Sequence, residues 1–244
     1  MKAFLLAGSL LLGGAAQAAD IVVLSSTGLT TTLEALAATY EARSGDHLAI
    51  AFGTTGQLKK RIDEGEAFDL CILTAPMIDE LIKTGKATGP RTDLARSGVG
   101  LAIKKGARKP DISTAEAFKR TILAAKSVAY TSTGASGLYF LSLSEKLGIA
   151  EEVKAKSHTV ASGAAAELVA KGEAELAIQQ ISELLPVAGT ELVGPLPPDL
   201  QTITVFAAGL SARAGNPAGA RALAAYLTSS DAIATIRLKG MDPG

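Results

Sequence analysis

Four short segments rich in serine, threonine and glycine stand where a strand-like apolar run gives way to a helix-like segment. They span residues 24–29, 52–57, 130–137 and 160–163. The start of a helix exposes unpaired N–H groups and a partial positive charge, so it attracts anions. Glycine lets the backbone approach a ligand closely, and hydroxyl groups add hydrogen-bond donors. One such segment is ordinary helix capping, but four on parallel strands converge on one crevice and predict a small-anion site.

Residues that perform covalent or metal chemistry are few by comparison. Neither His47 nor His158 has a cysteine or carboxylate at the spacing of metal ligands. Residues 134–137 lack the Gly-x-Ser-x-Gly pattern of a nucleophile elbow, and residues 53–57 lack the lysine of a phosphate-binding P-loop. We therefore expect a binding protein rather than an enzyme, with no cofactor and no metal. A small-anion hydrolase is the alternative class, but no general base is evident for a serine nucleophile.

The first residues predict export from the cytoplasm. Lys2 precedes an uncharged apolar run over residues 3–16, and residues 16–18 have the small-x-small pattern of a signal-peptidase site. We expect residues 1–18 to be a cleaved signal peptide and the mature protein to be periplasmic.

The composition excludes several classes of partner and bond. The 24 basic and 24 acidic side chains leave no formal net charge, so the protein has no overall field to hold nucleic acid or a charged membrane surface. Cys71 is the single cysteine, so no internal disulfide forms. Its apolar neighbours predict a small buried hydrophobe.

Strand-like apolar runs alternate with segments of helical period along the rest of the chain. This rhythm predicts an α/β fold in which helices cover mainly parallel sheets. The chain length suits one large domain or two lobes. No long flexible linker interrupts the sequence, so we expect any lobes to be joined by strands.

Five segments together resemble a known family. They are residues 23–42, 52–73 (FGTTGQLKKRIDEGEAFDLCIL), 134–147, 163–178 and 220–240. Their order resembles that of the periplasmic molybdate-binding proteins of ABC importers, within the type II solute-binding family. The resemblance implies two lobes that close on a tetrahedral oxyanion, held by hydroxyl and backbone N–H groups. We expect a monomer, although the sequence does not determine the oligomeric state. It also implies that a permease and its ATPase at the inner membrane recognise the closed form.

The resemblance also divides the mature chain into lobes, each a mainly parallel sheet flanked by helices. Lobe 1 would comprise residues 19–97 and 205–244, and lobe 2 residues 98–204. Crossing strands near residues 97–99 and 204–206 would form a hinge, and a ligand that contacts both lobes would favour closure.

Carried over by motif from the family, the candidate ligand-binding residues lie in the four hydroxyl-rich segments and in the strand-like run that ends near residue 180. They are Ser26, Thr27, Thr54, Thr55, Ser132, Ala135, Ser136, Ser162, Gln179 and Gln180.

Two departures from the family pattern leave the ligand open. Gly28 replaces a serine of the first loop, and Gln179 and Gln180 stand where the family has a tyrosine. Because glutamine both donates and accepts hydrogen bonds, an organic carboxylate is an alternative ligand. Arginine binds carboxylates in a bidentate manner, and Arg91 or Arg96 could reach the cleft mouth, although the sequence favours a solvated surface position for each. A periplasmic sensor subunit is an alternative role for the same fold.

Overall fold

The computed structural model describes residues 20–244, so the predicted signal peptide at residues 1–18 lies outside the described residues. Strands and helices alternate along this part of the chain, as the periodicity predicts. The strands are β1 (Asp20–Ser26), β2 (His47–Gly53), β3 (Leu70–Thr74), β4 (Ala87–Lys104), β5 (Val128–Thr131), β6 (Ser157–Val160), β7 (Leu176–Gln180), β8 (Thr190–Pro195), β9 (Ile203–Ser211) and β10 (Asp242–Pro243). The α-helices are α1 (Thr30–Ser44), α2 (Thr55–Asp63), α3 (Ala75–Lys83), α4 (Ala115–Ala124), α5 (Ala135–Lys146), α6 (Ala150–Ala155), α7 (Ala166–Lys171), α8 (Ile181–Leu184), α9 (Pro217–Leu227) and α10 (Ser230–Leu238). None of the helices in residues 20–244 is long and apolar enough to cross a membrane.

The strands form two sheets that share β4, a strand of 18 residues. The first sheet has the order β2-β1-β3-β9-β4, and the second has the order β4-β7-β5-β6. Residues 87–98 of β4 pair with β9, whereas residues 99–104 pair with β7 on one edge and with β8 on the other. A single strand therefore carries the chain from the first sheet into the second.

The sheets are mixed, although we expected them to be mainly parallel. β1 is parallel to β2 and β3, and β5 is parallel to β6 and β7. In contrast, β9 is antiparallel to β3 and β4, and β4 is antiparallel to β7. β4 and β9 run in opposite directions because one leaves the first sheet and the other returns to it. The parallel arrangement thus holds for the strands whose ends carry the hydroxyl-rich segments.

Apolar clusters cover both faces of each sheet. In β3 the successive residues Cys71 and Ile72 belong to different clusters, and Ala177 and Ile178 of β7 alternate in the same way. Burial on both faces explains why β3 is apolar throughout. Cys71 is fully buried, and desolvation raises the pKa of its thiol to about 12. The predicted small buried hydrophobe is therefore confirmed.

Candidate ligand-binding site

Four strand ends meet at one small cavity between the two sheets. β1, β2, β5 and β7 each end just before a helix or, for β1, before a 3-10 turn at Thr27–Leu29. The cavity is lined by Ser26, Thr27, Gly28, Thr54, Thr55, Gly134, Ala135, Gln180, Glu183 and Phe206. Its volume of about 10 Å³ is roughly what one water molecule needs. Six of the ten candidate residues are therefore brought together.

The junction after β1 contains a glycine because an aromatic ring lies against it. A Cβ atom at Gly28 would lie 2.4 Å from Cζ of Phe206 in β9, which is much closer than van der Waals contact. The Gly28 carbonyl also accepts a hydrogen bond from Ser182 Oγ at 2.8 Å. A serine at this position would collide with the ring, so packing explains the departure from the family pattern.

A reciprocal capping box fixes the junction after β2. Thr54 Oγ1 accepts a hydrogen bond from the Gln57 N–H at 3.3 Å, and Gln57 Oε1 accepts one from the Thr54 N–H at 3.0 Å. Thr55 is buried at the first residue of α2, and no group within residues 20–244 bonds its Oγ1. An unsatisfied buried hydroxyl destabilises a protein by about 1–3 kcal/mol. A ligand oxygen in the cavity would remove that penalty.

The junction after β5 brings the start of α5 against the end of the strand. A Cβ atom at Gly137 would lie 1.7 Å from the Thr131 carbonyl oxygen, and one at Gly134 would lie 2.3 Å from Thr131 Oγ1. Glycine is required at both positions because the helix and the strand approach so closely. This approach directs the N-terminus of α5, at Ala135, towards the cavity.

The junction after β7 supplies an amide and a carboxyl group. Gln180 is 2% exposed, and its Nε2 donates a hydrogen bond to Thr204 Oγ1 at 2.6 Å. Its Oε1 has no partner in the described part of the chain. Glu183 follows in α8 and is half-buried. Burial raises the pKa of Glu183 to about 7, although the Thr27 side chain and the Gln180 backbone favour the ionised form.

Glu183 changes what this site can do chemically. A carboxyl group with a pKa of about 7 is populated in both its protonated and ionised forms at neutral pH. Such a group accepts and releases protons, as a general acid–base catalyst must. The cavity therefore combines hydroxyl and helix N-terminal groups of the kind that bind anions with a carboxyl group of the kind that transfers protons.

A wider cleft adjoins the small cavity. Its volume is about 580 Å³, and it shares Thr27 and Glu183 with the cavity. Glu183 thus lies where the two spaces meet. The remaining lining residues come from α1 and its surroundings and from the region of α7 and α8: Thr30, Thr31, Gly163, Ala164, Glu167, Ala170, Lys171, Ser182, Pro186, Val187 and Ala188.

Hydrogen bonds join the two sides of the cleft directly. Thr54 Oγ1 lies 2.8 Å from Thr133 Oγ1, and Gln57 Nε2 donates to the Ala161 carbonyl at 3.2 Å. The two sides are therefore in contact beside the small cavity. Their division into lobes 1 and 2, with the hinge given above, stays a prediction.

The other four candidate residues lie outside the cavity wall. Ser132 is bonded to the neighbouring strand, Ser136 is buried within α5, and Ser162 is exposed. Gln179 Nε2 donates a hydrogen bond to the Gly163 carbonyl at 2.9 Å. Neighbouring side chains of a strand point to opposite faces, so Gln179 and Gln180 do not line the same space.

The two arginines considered from the sequence lie away from both spaces. Arg91 forms ion pairs with Asp79 and Asp93, and Arg96 is exposed on β4. Neither residue lines the cavity or the cleft. Within residues 20–244, no group of three or more histidine, cysteine, aspartate or glutamate side chains is arranged to hold a metal ion.

Glu183 is the chemically important residue that sequence reasoning missed. Its sequence signal is weak, because an acidic residue in the first turn of a helix is common for electrostatic reasons alone. The stronger indication was its position three residues after the buried polar strand end at Gln180. Gly134 and Phe206 were also missed, since neither carries a polar side chain.

Comparison with known proteins identifies the family. The family model described as bacterial extracellular solute-binding protein matches residues 21–242. The aconitate isomerase of a Pseudomonas species is 36% identical over 100% of this chain and 95% of its own length. The molybdate-binding protein ModA of Azotobacter vinelandii is 29% identical, over 96% of this chain and 94% of that protein. A solved structure, the periplasmic molybdate-binding protein of Azotobacter vinelandii, superposes with a TM-score of 0.77 at 19% identity, covering 91% of this chain and 98% of that chain. The predicted α/β fold of the type II periplasmic binding proteins is confirmed, and this chain belongs to the bacterial extracellular solute-binding protein family.

Proposed function

We propose that this protein binds an unsaturated polycarboxylic acid of the aconitate class between its two sheets and isomerises it. The observation that carries the proposal is the Glu183 carboxyl group, which lines the same cavity as the side chains of Thr27 and Thr55. The Pseudomonas relative, named aconitate isomerase and 36% identical over the whole chain, supports this substrate class.

Glu183 and Gln180 disfavour an oxyanion that stays fully ionised at neutral pH. Such an ion offers only hydrogen-bond acceptors, while Gln180 Oε1 is itself an unpartnered acceptor among the described residues. An ionised Glu183 would repel the anion as well. An organic carboxylic acid holds a proton more readily, so the ligand and Glu183 can share one proton between two carboxyl groups. This pairing favours a carboxylate ligand over molybdate.

The arrangement of the two adjoining spaces suits a ligand with carboxylates at both ends, if the small cavity widens when the ligand enters. The small cavity has a volume of about 10 Å³ and the adjoining cleft about 580 Å³. One carboxylate would lie at the N-termini of α2 and α5, where unpaired N–H groups attract anions. The carbon skeleton would then pass Glu183 and reach the cleft, where Lys171 offers a positive charge.

The family supports a periplasmic setting for this site. Within it, the ligand-bound monomer would be delivered to a permease and ATPase of an ABC importer at the inner membrane. A membrane sensor is the alternative recipient of the same closed form.

Binding of a tetrahedral oxyanion without any reaction is the second candidate function. The hydroxyl groups of Ser26, Thr27, Thr54 and Thr55 on one wall favour it. So does the likeness to molybdate-binding proteins over nearly the whole chain. This candidate retains the original expectation of a binding protein with no catalytic residue.

Thermal denaturation of the mature protein tests the ligand class. Molybdate, tungstate, sulfate, citrate, tricarballylate and both geometric isomers of aconitate would be added at saturating concentration. A ligand that binds only the folded state stabilises it by about 2.7 kcal/mol at 100 times its Kd. We expect the aconitate isomers to raise Tm the most. Stabilisation by molybdate and tungstate alone would overturn the proposal in favour of the second candidate.

A further inference from the structure

Glu183 lies at the boundary between the small cavity and the wider cleft. Of all residues that line the small cavity and the wider cleft, Thr27 and Glu183 are the ones common to both. A ligand whose first carboxylate lies in the cavity, and whose remainder lies in the cleft, must therefore pass Glu183. The atoms nearest the carboxyl group are then the carbons next to the anchored carboxylate.

The surroundings single out Glu183 as the proton-transfer group. It is the one titratable side chain on the wall of the small cavity. The charged groups that face it from the wider cleft are Glu167 and Lys171 of α7, which pair with each other at 3.7 Å and are well exposed. Exposed pairs of this kind are screened by solvent, so they do not replace a half-buried carboxyl beside the ligand.

We infer that Glu183 is the catalytic acid–base residue that moves a proton between two carbon atoms of an unsaturated tricarboxylate bound in this site. The inference rests on the proposed function, whose substrate class it uses. It assigns a chemical role to a residue that neither the hydroxyl-rich segments nor the capping patterns identify.

The reaction is an allylic proton shift that balances without any cofactor. The Glu183 carboxylate removes a proton from the methylene carbon of aconitate, and the electron pair of that C–H bond becomes delocalised over three carbons and a carboxylate. The protonated Glu183 then returns a proton to the former vinyl carbon, where a new C–H bond forms. The double bond has moved by one position, and its cis or trans geometry is set by the conformation in which the methylene arm was held.

Hydrogen-bond donors around the anchored carboxylate stabilise the charge that develops. Negative charge moves onto the anchored carboxylate as the first C–H bond breaks, and this group lies at the N-termini of α2 and α5. Preorganised N–H groups and the Thr55 hydroxyl bind such charge more strongly as it grows. A proton-transfer group works best when its pKa is close to the working pH, and burial raises the pKa of Glu183 to about 7.

The test follows both conversion and binding in the mature protein. Purified protein is incubated with trans-aconitate in D₂O, and ¹H NMR follows the appearance of cis-aconitate and the entry of deuterium at carbon. Isothermal titration calorimetry measures trans-aconitate binding at pH 6 in parallel. The variants are Glu183→Gln, Glu183→Asp and, as the matched control, Glu152→Gln on the exposed surface of α6.

We expect the wild type and Glu152→Gln to interconvert the isomers and to exchange deuterium. Glu183→Gln should lose at least about 100-fold in kcat, which is the usual contribution of a general acid–base group, while its Kd changes by less than about threefold. Glu183→Asp should keep measurable activity because it retains a carboxyl group. Its partial activity would exclude a merely structural role for Glu183.

Failure of the inference is distinct from failure of the proposed function. Wild-type protein that binds trans-aconitate but neither isomerises it nor exchanges deuterium would overturn the catalytic role and leave the ligand class intact. A Glu183→Gln variant with unchanged kcat would assign the chemistry to another residue. Absence of trans-aconitate binding by the wild type would overturn the proposed function itself.

Discussion

The two walls of the small cavity differ in chemistry. The wall formed by the first sheet presents the hydroxyl-bearing residues Thr54 and Thr55 and the N-terminus of α2, all of which suit a fixed negative charge. The wall formed by the second sheet adds Gln180 and Glu183, which offer an unpartnered oxygen and a titratable carboxyl group. Each wall contributes a helix N-terminus that suits an anion, α2 on the first and α5 on the second, but only the second wall carries a titratable group.

The largest expected effect is a loss of stability when the glycine in the first turn of α5 is replaced. The glycine in the first turn of α2 provides the comparison. Gly137→Ala places a methyl group 1.7 Å from the Thr131 carbonyl oxygen, whereas the nearest atom to a Cβ at Gly56 is 3.7 Å away. Overpacking against backbone costs about 3 kcal/mol, so Gly137→Ala should lower the free energy of unfolding by about that amount in urea titrations. Gly56→Ala is the matched control and should change it by less than about 1 kcal/mol. Equal effects of the two substitutions would mean that α5 does not pack tightly on β5.

The next largest effect is a pH dependence of the free energy of unfolding, which comes from Glu183 on the second-sheet wall. Burial raises the pKa of Glu183 from 4.5 to about 7 in the folded protein, so folding favours the protonated form. The stabilisation from this residue is complete below about pH 4.5 and is lost as the pH rises through about 7. Glu183→Gln removes the dependence. Since one pKa unit is worth about 1.4 kcal/mol, its advantage over the wild type at pH 8 should reach at most about 3 kcal/mol.

Urea titrations of the ligand-free proteins at pH 4.5, 6, 7 and 8 measure this difference. Glu152→Gln again serves as the control, because Glu152 is exposed on α6. A constant difference between Glu183→Gln and the wild type at all four values would contradict a raised pKa at Glu183. The two walls would then not differ in their capacity for proton exchange.

Much of the architecture was predictable from sequence because the signals were local and repeated. The continuous apolar run of β3 and the Thr54 and Gln57 capping residues follow from burial on two faces and from helix capping. The mixed character of the sheets was not predictable, since the direction of β9 depends on where the chain returns to the first sheet. No pattern within a single strand contains that information.

The candidate site shows the same contrast between residues that local sequence signals predict and residues whose role depends on packing. The hydroxyls of Thr54 and Thr55 were predicted as site groups because threonine side chains carry hydrogen-bond donors. Glu183 was missed because its chemistry comes from desolvation, which arises only when α8 packs against the turn that contains Thr27. Which member of the Gln179 and Gln180 pair lines the cavity likewise depends on the face of β7, not on residue type.

A smaller effect concerns Thr55 on the first-sheet wall, where one substitution should stabilise the protein and weaken ligand binding. Thr55→Val replaces a buried hydroxyl that has no partner among residues 20–244, so the ligand-free protein should become more stable by about 1 kcal/mol. The same change removes a donor to the ligand and should weaken aconitate binding about tenfold. Thr131→Val removes another such hydroxyl, one that does not line the cavity. It should stabilise the protein without altering Kd, and calorimetry with urea titration measures both quantities.

The smallest effect tests whether the two walls move relative to each other. Thr133→Val removes the hydroxyl that lies 2.8 Å from Thr54 Oγ1 across the cleft. A partly buried hydrogen bond of this kind is worth about 0.5 kcal/mol, so the ligand-free protein should shift towards an open form and bind aconitate about twofold more weakly. Small-angle scattering should detect a larger radius of gyration only without ligand. Ser132→Ala is the control, because that hydroxyl bonds within its own side of the cleft. If neither Kd nor the radius changes in Thr133→Val, the walls form one rigid unit, and the difference in chemistry between them does not depend on closure.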